Sequence, residues 1–174
     1  MSEVWLSADE HRAWRGFIGL HRELVARLNR QLQEDSQLSL ADYEVLVPLS
    51  EAPQGRMRPY ELAQLLQWEQ SRLSHHMARM QRRGLVGREE CTVDGRGAFV
   101  VLTPQGRNAI EAAAPAHVAT VRKLFFDGLT PEQVTSLESI AVAGRAQLSG
   151  TEVELCDGGG PGDPLEADEG CPGS

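Results

Sequence analysis

The chain is poor in the features that carry most chemistry. Its three cysteines, Cys91, Cys156 and Cys171, form no CxxC and no metal-ligand spacing, which excludes a zinc module or disulfide scaffold as the reading of choice. Apolar runs are short: none approaches the roughly 20 residues that a membrane-spanning helix needs. No secretory apolar segment stands at the start, so a cytoplasmic, reducing setting is expected. Aromatic residues make up only 5%. Lysine is nearly absent: Lys123 is the single one among 17 basic residues, and the rest are arginine. That bias fits a GC-rich coding genome, yet an arginine fork also suits phosphate and guanine. No nucleophile–base–orienter set, glycine-rich phosphate loop or carboxylate pair is present, so neither an enzyme nor a bound cofactor is expected.

What is there begins with charge. The formal net charge is −8, which taken whole argues against nucleic acid. Divided by segment, it reads differently. From Thr151 to Ser174 lie seven acids and no Lys or Arg. Between Arg56 and Arg107 lie nine arginines against five acids, a local excess of four positive charges. A basic surface is embedded in an acidic chain.

Apolar spacing organises the 174 residues into one domain and a tail. From Ser7 to about Gln33, Trp14, Phe17, Ile18, His21, Leu24, Val25, Leu28 and Leu32 recur at helical steps, with Ser7 and Glu10 set as a capping box. Ser39 opens a second helix that ends near Glu51, with Tyr43, Leu46, Val47 and Leu49 inward. Residues Gln54 to Arg58 are short and extended at most. Pro59 starts a third helix, with Leu62, Ala63, Leu65 and Leu66 inward. A fourth runs from about Gln70 to Arg83 and stops at Gly84, with Leu73, Met77 and Met80 on one face. Two strand-like runs, Leu85–Thr92 and Ala98–Leu102, flank the turn Val93-Asp94-Gly95-Arg96-Gly97. Thr103-Pro104 and Thr130-Pro131 each open a further helix, the first with Pro115 expected to bend it or shift its start. Val134, Leu137, Ile140 and Ala141 are expected inward on the last. From about Ser149 glycine, proline and acids dominate, and disorder is expected.

The predicted class is therefore mainly α with a small β-hairpin. Two short helices joined by a tight turn and followed by a hairpin describe a winged helix-turn-helix. The fourth helix keeps one apolar face and turns Ser71, Arg72, Ser74, His75, Arg79 and Arg82 outward. An α-helix fits the major groove, where such side chains reach base edges and phosphates. Arg96 at the hairpin tip suits the minor groove, with Asp94 placed to hold its guanidinium.

These residues also form an ordered series of motifs: Pro59-Tyr60-Glu61-Leu62-Ala63, Ser71 to Met80, Arg83-Gly84-Leu85-Val86, Asp94-Gly95-Arg96-Gly97 and Leu102-Thr103-Pro104-Gln105-Gly106. The series resembles the MarR (multiple antibiotic resistance regulator) family over about residues 7–148. The resemblance implies a sequence-specific transcriptional regulator, a homodimeric repressor on a palindromic operator in double-stranded DNA. It also implies release by a small aromatic or anionic ligand and dimerisation through the first and last helices. The corresponding division is a winged-helix domain over 1–148, with dimerisation helices at about 7–33 and 104–148, a DNA-binding part at about 39–103, and a tail at 149–174. One departure is Glu69, where the family more usually has a small capping Ser, Thr or Asp.

Blander readings stand beside these. Trp14, His21, Tyr43 and His117 are candidates for a ligand pocket, but all lie on apolar stripes that core packing also explains. His75 and His76 are adjacent on a helix, about 100° apart, and cannot share a metal ion. DNA contact is read for His75, and packing or phosphate contact for His76. Cys91 reads as a structural small residue, since Glu89 and Glu90 oppose a lowered thiol pKa. The competing function is a winged helix that docks another protein without specific DNA binding.

Overall fold

The computed structural model describes residues 5–90 and 98–156, with side chains through residue 149. The elements, in order, are α1 (Ala8–Ser36), α2 (Leu40–Glu51), a 3₁₀ turn (Pro53–Gly55), β1 (Arg56–Met57), α3 (Pro59–Leu66), α4 (Gln70–Arg82), β2 (Val86–Glu90), β3 (Ala98–Leu102), α5 (Pro104–Leu124), a second 3₁₀ turn (Phe126–Gly128) and α6 (Pro131–Cys156). They fall into two compact units, one ending at Gly128 and the other beginning at Leu129.

Local signals set the helix ends of the first unit. The Ser7 hydroxyl accepts from the Glu10 amide, and the Glu10 carboxylate accepts from the Ser7 amide, so two orphan donors of α1 are satisfied reciprocally. Ser39 and Asp42 repeat the arrangement at α2. Thr103 caps α5 by accepting from the Gly106 amide at 2.9 Å. α4 stops where Gly84 adopts φ +72°, a left-handed conformation that costs glycine little. Gly106 is required for a different reason: a Cβ there would meet the Leu85 carbonyl oxygen at 2.0 Å. The elbow between the wing and α5 closes only on a bare backbone.

Leu32, Leu46, Leu49, Leu62, Met80 and Val45 are fully buried at the centre of the first unit. Leu73 and Met77 bring α4 to this core, and Leu85, Val86 and Val100 bring the wing. The sheet is antiparallel in the order β1-β3-β2. Its register pairs Met57 and Arg88 with Val100 from either side.

Several sequence expectations change. Arg56–Met57 is a third strand, where only extended chain was expected; two residues show no periodicity, and the strand exists because β3 offers it an open edge. Leu65 is 59% exposed, not inward, since α3 has a single buried strip through Leu62 and Ala63. α5 runs from Pro104 through Pro115 without a shifted start. On the same helix Val118, which the apolar spacing places on the buried stripe, is exposed. α6 reaches Cys156, past the boundary expected at residue 148, and its Val134 and Ile140 are exposed. Cys91, Asp94 and Arg96 lie outside the described residues.

Candidate nucleic-acid interface

α3 and α4 are joined by a three-residue turn in which Gln67 takes φ +53° and the Trp68 amide donates to the Ala63 carbonyl at 2.9 Å. So short a link forces the helices to cross. α4 then divides cleanly. Leu73, His76, Met77 and Met80 are buried, while Ser71, Arg72, Ser74, His75, Arg79 and Arg82 are all exposed. Every α4 residue named for this surface from sequence thus stands on one open face. Glu69 is the N-cap of α4 and makes no side-chain cap, so its charge alone favours the positive helix end.

The arginines of this region are held by neighbours. The Arg72 guanidinium lies 4.1 Å from the centre of the Trp68 ring, a cation–π contact. Arg79 Nη2 donates to His76 Nδ1 at 2.8 Å. Arg83 donates through Nη1 to Asp42 Oδ2 at 2.6 Å and through Nη2 to the Gln37 carbonyl at 2.7 Å. On the sheet, Arg56 and Arg58 lie 4.7 and 4.0 Å from the centre of the Phe99 ring, and Arg56 pairs with Glu89 at 3.1 Å. A cleft of about 210 Å³ between α4 and the wing strands is lined by Ser74, Gln81, Arg88 and Phe99, among others.

Beneath the exposed face lies Asp42, 2% exposed. Burial alone would raise its pKa, but the donors from His76, Arg83 and Ser39 outweigh that and hold the carboxylate well below its ordinary range. His76 Nε2 is 3.1 Å from Asp42 Oδ1, off the line of a straight hydrogen bond, and has no other partner among the described residues. His76 also meets Trp68 edge-on at 5.3 Å. Packing, one of the two roles read for His76, is where the structure puts it. Asp42 and Trp68 were not singled out from sequence as site residues, and Arg83 was read only as the basic end of α4 that opens the Arg83-Gly84-Leu85-Val86 motif. The signal for Asp42 was present: it stands three residues after Ser39, in the capping-box position.

Of the candidate pocket residues, two come together. Tyr43 and His117 have ring centres 4.3 Å apart, and His117 Nδ1 is 3.3 Å from Gln31 Oε1. Burial lowers the His117 pKa and raises that of Tyr43, the latter with help from Glu51. Trp14 and His21 instead form an exposed row on α1 with Phe17, at ring separations of 6.0 and 6.4 Å. A second cleft, of about 250 Å³, is lined by Leu20, Glu23, Leu24, Arg27 and Leu124 and includes none of the four.

Comparisons with known proteins agree with this architecture. A scan of protein-family models and a search of curated proteins each returned no match. Solved structures do match. AbsC of Streptomyces coelicolor, a MarR family transcriptional regulator, is 42% identical, with 84% of this chain and 98% of that chain covered and a TM-score of 0.79. Sco3205 of the same organism, a MarR family regulator solved in complex with DNA, is 42% identical over 83% of this chain and 90% of that one, also with a TM-score of 0.79. CouR of Rhodococcus jostii, bound to p-coumaroyl-CoA, shares the fold at 22% identity, 72% and 87% coverage and a TM-score of 0.63. With identity of this order across nearly the whole of AbsC and the winged helix-turn-helix in place, the chain belongs to the MarR family of DNA-binding transcriptional regulators.

Proposed function

We propose that the protein is a homodimeric cytoplasmic repressor that reads a palindromic operator with α4 of each copy and is released by a small aromatic or anionic ligand. The observation that carries this is the division of α4, with an apolar face in the core and Ser71, Arg72, Ser74, His75, Arg79 and Arg82 exposed together. The DNA complex of Sco3205 supports DNA binding by a chain of this fold. The two copies of α4 then enter successive major grooves about 34–36 Å apart along the duplex. Arg72, Arg79 and Arg82 position the helix on phosphates, as most protein–DNA hydrogen bonds do, while Ser71, Ser74 and His75 face the bases. Arg96, steadied by Asp94, reaches the minor groove from the wing tip.

The ligand reading rests on Tyr43 and His117, an aromatic pair at the junction of α2 and α5 with Gln31 of α1 beside it. An imidazole and a phenol there suit an aromatic ring carrying a polar substituent. The p-coumaroyl-CoA bound by CouR supports a fold that accepts such ligands.

The test uses fluorescence anisotropy with a duplex that the protein itself selects from a random-sequence pool. Arg96→Ala weakens binding to all duplexes alike and reduces the salt slope by about 1. His75→Ala changes which bases are preferred. An unchanged slope and affinity for the Arg96 variant removes the wing contact, and an unchanged preference removes the base contact of His75.

A further inference from the structure

Under the exposed face of α4, Asp42, His76 and Trp68 each touch one surface arginine: Arg83, Arg79 and Arg72 respectively. Asp42 sits on α2, outside the helix-turn-helix, and is 2% exposed. Its Oδ2 accepts from Arg83 at 2.6 Å and from the Ser39 amide at 2.8 Å, and its Oδ1 faces His76 Nε2 at 3.1 Å. On the far side of the same imidazole, Nδ1 takes the Arg79 guanidinium at 2.8 Å. An arginine can only donate, so Nδ1 carries the lone pair and the imidazole proton is on Nε2, toward Asp42. The ring is pinned further by Trp68, edge-on at 5.3 Å, and the face of Trp68 carries Arg72 at 4.1 Å. Arg72, Arg79 and Arg83 are nevertheless all exposed.

We propose that Asp42, His76 and Trp68 are positioning residues for DNA binding. They hold Arg72, Arg79 and Arg83 in one arrangement before DNA arrives. This rests on the reading above that Arg72 and Arg79 meet phosphates. A free arginine loses rotamer freedom when it docks, and a preorganised one has already lost it in the folded protein, so less affinity is forfeited on binding. The geometry makes the dependence unequal. Arg79 depends on His76 Nδ1, whereas Arg83 depends on Asp42 directly and also ties down the α1–α2 turn through the Gln37 carbonyl. Asp42 acts through others and touches no DNA.

A merely structural role for His76 would lower stability and would weaken binding by the same factor whatever stands at position 79. Positioning predicts coupling, which a double-mutant cycle on the full chain reads directly. The probe is a duplex selected by the parent protein from a random-sequence pool. Arg79→Ala in the parent is expected to weaken binding about five-fold or more, as loss of a contact of ~1 kcal/mol requires. In a His76→Gln background, where the amide keeps its reach to Asp42 but leaves Nδ1 unreplaced, the same change is expected to cost less than half that factor. His76→Asn places an oxygen near the position of Nδ1 and restores the sensitivity to Arg79→Ala. If the Gln variant folds poorly, Asp42→Asn serves in the same cycle, with the same expected loss of sensitivity.

Equal factors in the parent and in either variant background overturn the proposal, leaving His76 as core packing. If Arg72→Ala and Arg79→Ala both leave parent binding unchanged, the phosphate-contact reading itself falls, and the proposal with it. The arrangement is also read without DNA: nitrogen-15 NMR of the free protein should show the His76 proton on Nε2. A proton resting on Nδ1 overturns the link to Arg79.

Discussion

Burial favours the neutral form of His117 in the folded protein. Its pKa falls below the ordinary 6.5 because the charged ring would lose water without gaining a countercharge. The unfolded chain therefore binds a proton that the folded chain resists, and stability drops as the pH falls from about 7 through 6.5 and below. Asp42 gives a second, separate loss. Its folded pKa is depressed, so its contribution is intact above its ordinary value of 3.8 and disappears as the pH falls below that. Melting curves from pH 8 to pH 3 should show both declines. His117→Asn is expected to flatten the upper one and leave the lower, and Asp42→Asn the reverse. A parent protein with a level melting temperature from pH 7 to pH 5 would show that His117 is not buried neutral in solution. The capping-box role of Asp42 could be read from Ser39-x-x-Asp42, but its ion pair could not. Arg83 lies an entire helix-turn-helix away, and only the fold brings the two within 2.6 Å.

Elements were legible where they begin and end on chemistry. Ser7, Ser39 and Thr103 each supply a hydroxyl to an orphan amide, and Gly84 ends α4, so those helix ends follow from side chains within a few residues. β1 was not legible because a two-residue strand is defined by its partner and not by its own pattern. Leu65 was misplaced because an eight-residue helix turns too few times to reveal how narrow its buried strip is. α4 itself starts badly: Glu69 makes no side-chain cap. Glu69→Ser places a short hydroxyl where it can accept from the first-turn amides, and such a cap stabilises a helix by about 1 kcal/mol. The thermal midpoint should rise. A midpoint that stays or falls would mean that the Glu69 charge at the helix end contributes as much as a cap would.

At the scale of the molecule, the first unit buries its core and still leaves a row of large apolar side chains in water. Trp14, Phe17 and Leu20 on α1 are 54%, 58% and 51% exposed. Trp14 and Phe17 belong to the α1 apolar stripe read from sequence and Leu20 does not, and no single chain could show which partner covers the row. Fully burying side chains of this size is worth roughly 1.5–3 kcal/mol each. A second copy is the partner that a palindromic operator calls for, because it places two reading heads on one duplex, and linked heads bind about 10²–10⁴ times more tightly than separate ones. Phe17→Glu puts a carboxylate in the middle of that row without touching α4 or the wing. Light scattering should then give the mass of one chain where the parent gives two. Operator affinity should fall by at least the lower end of that range, while weak binding to a single half-site persists, since the Arg72, His75 and Arg79 surface is intact. A variant that remains dimeric with full operator affinity would place the subunit contact away from α1.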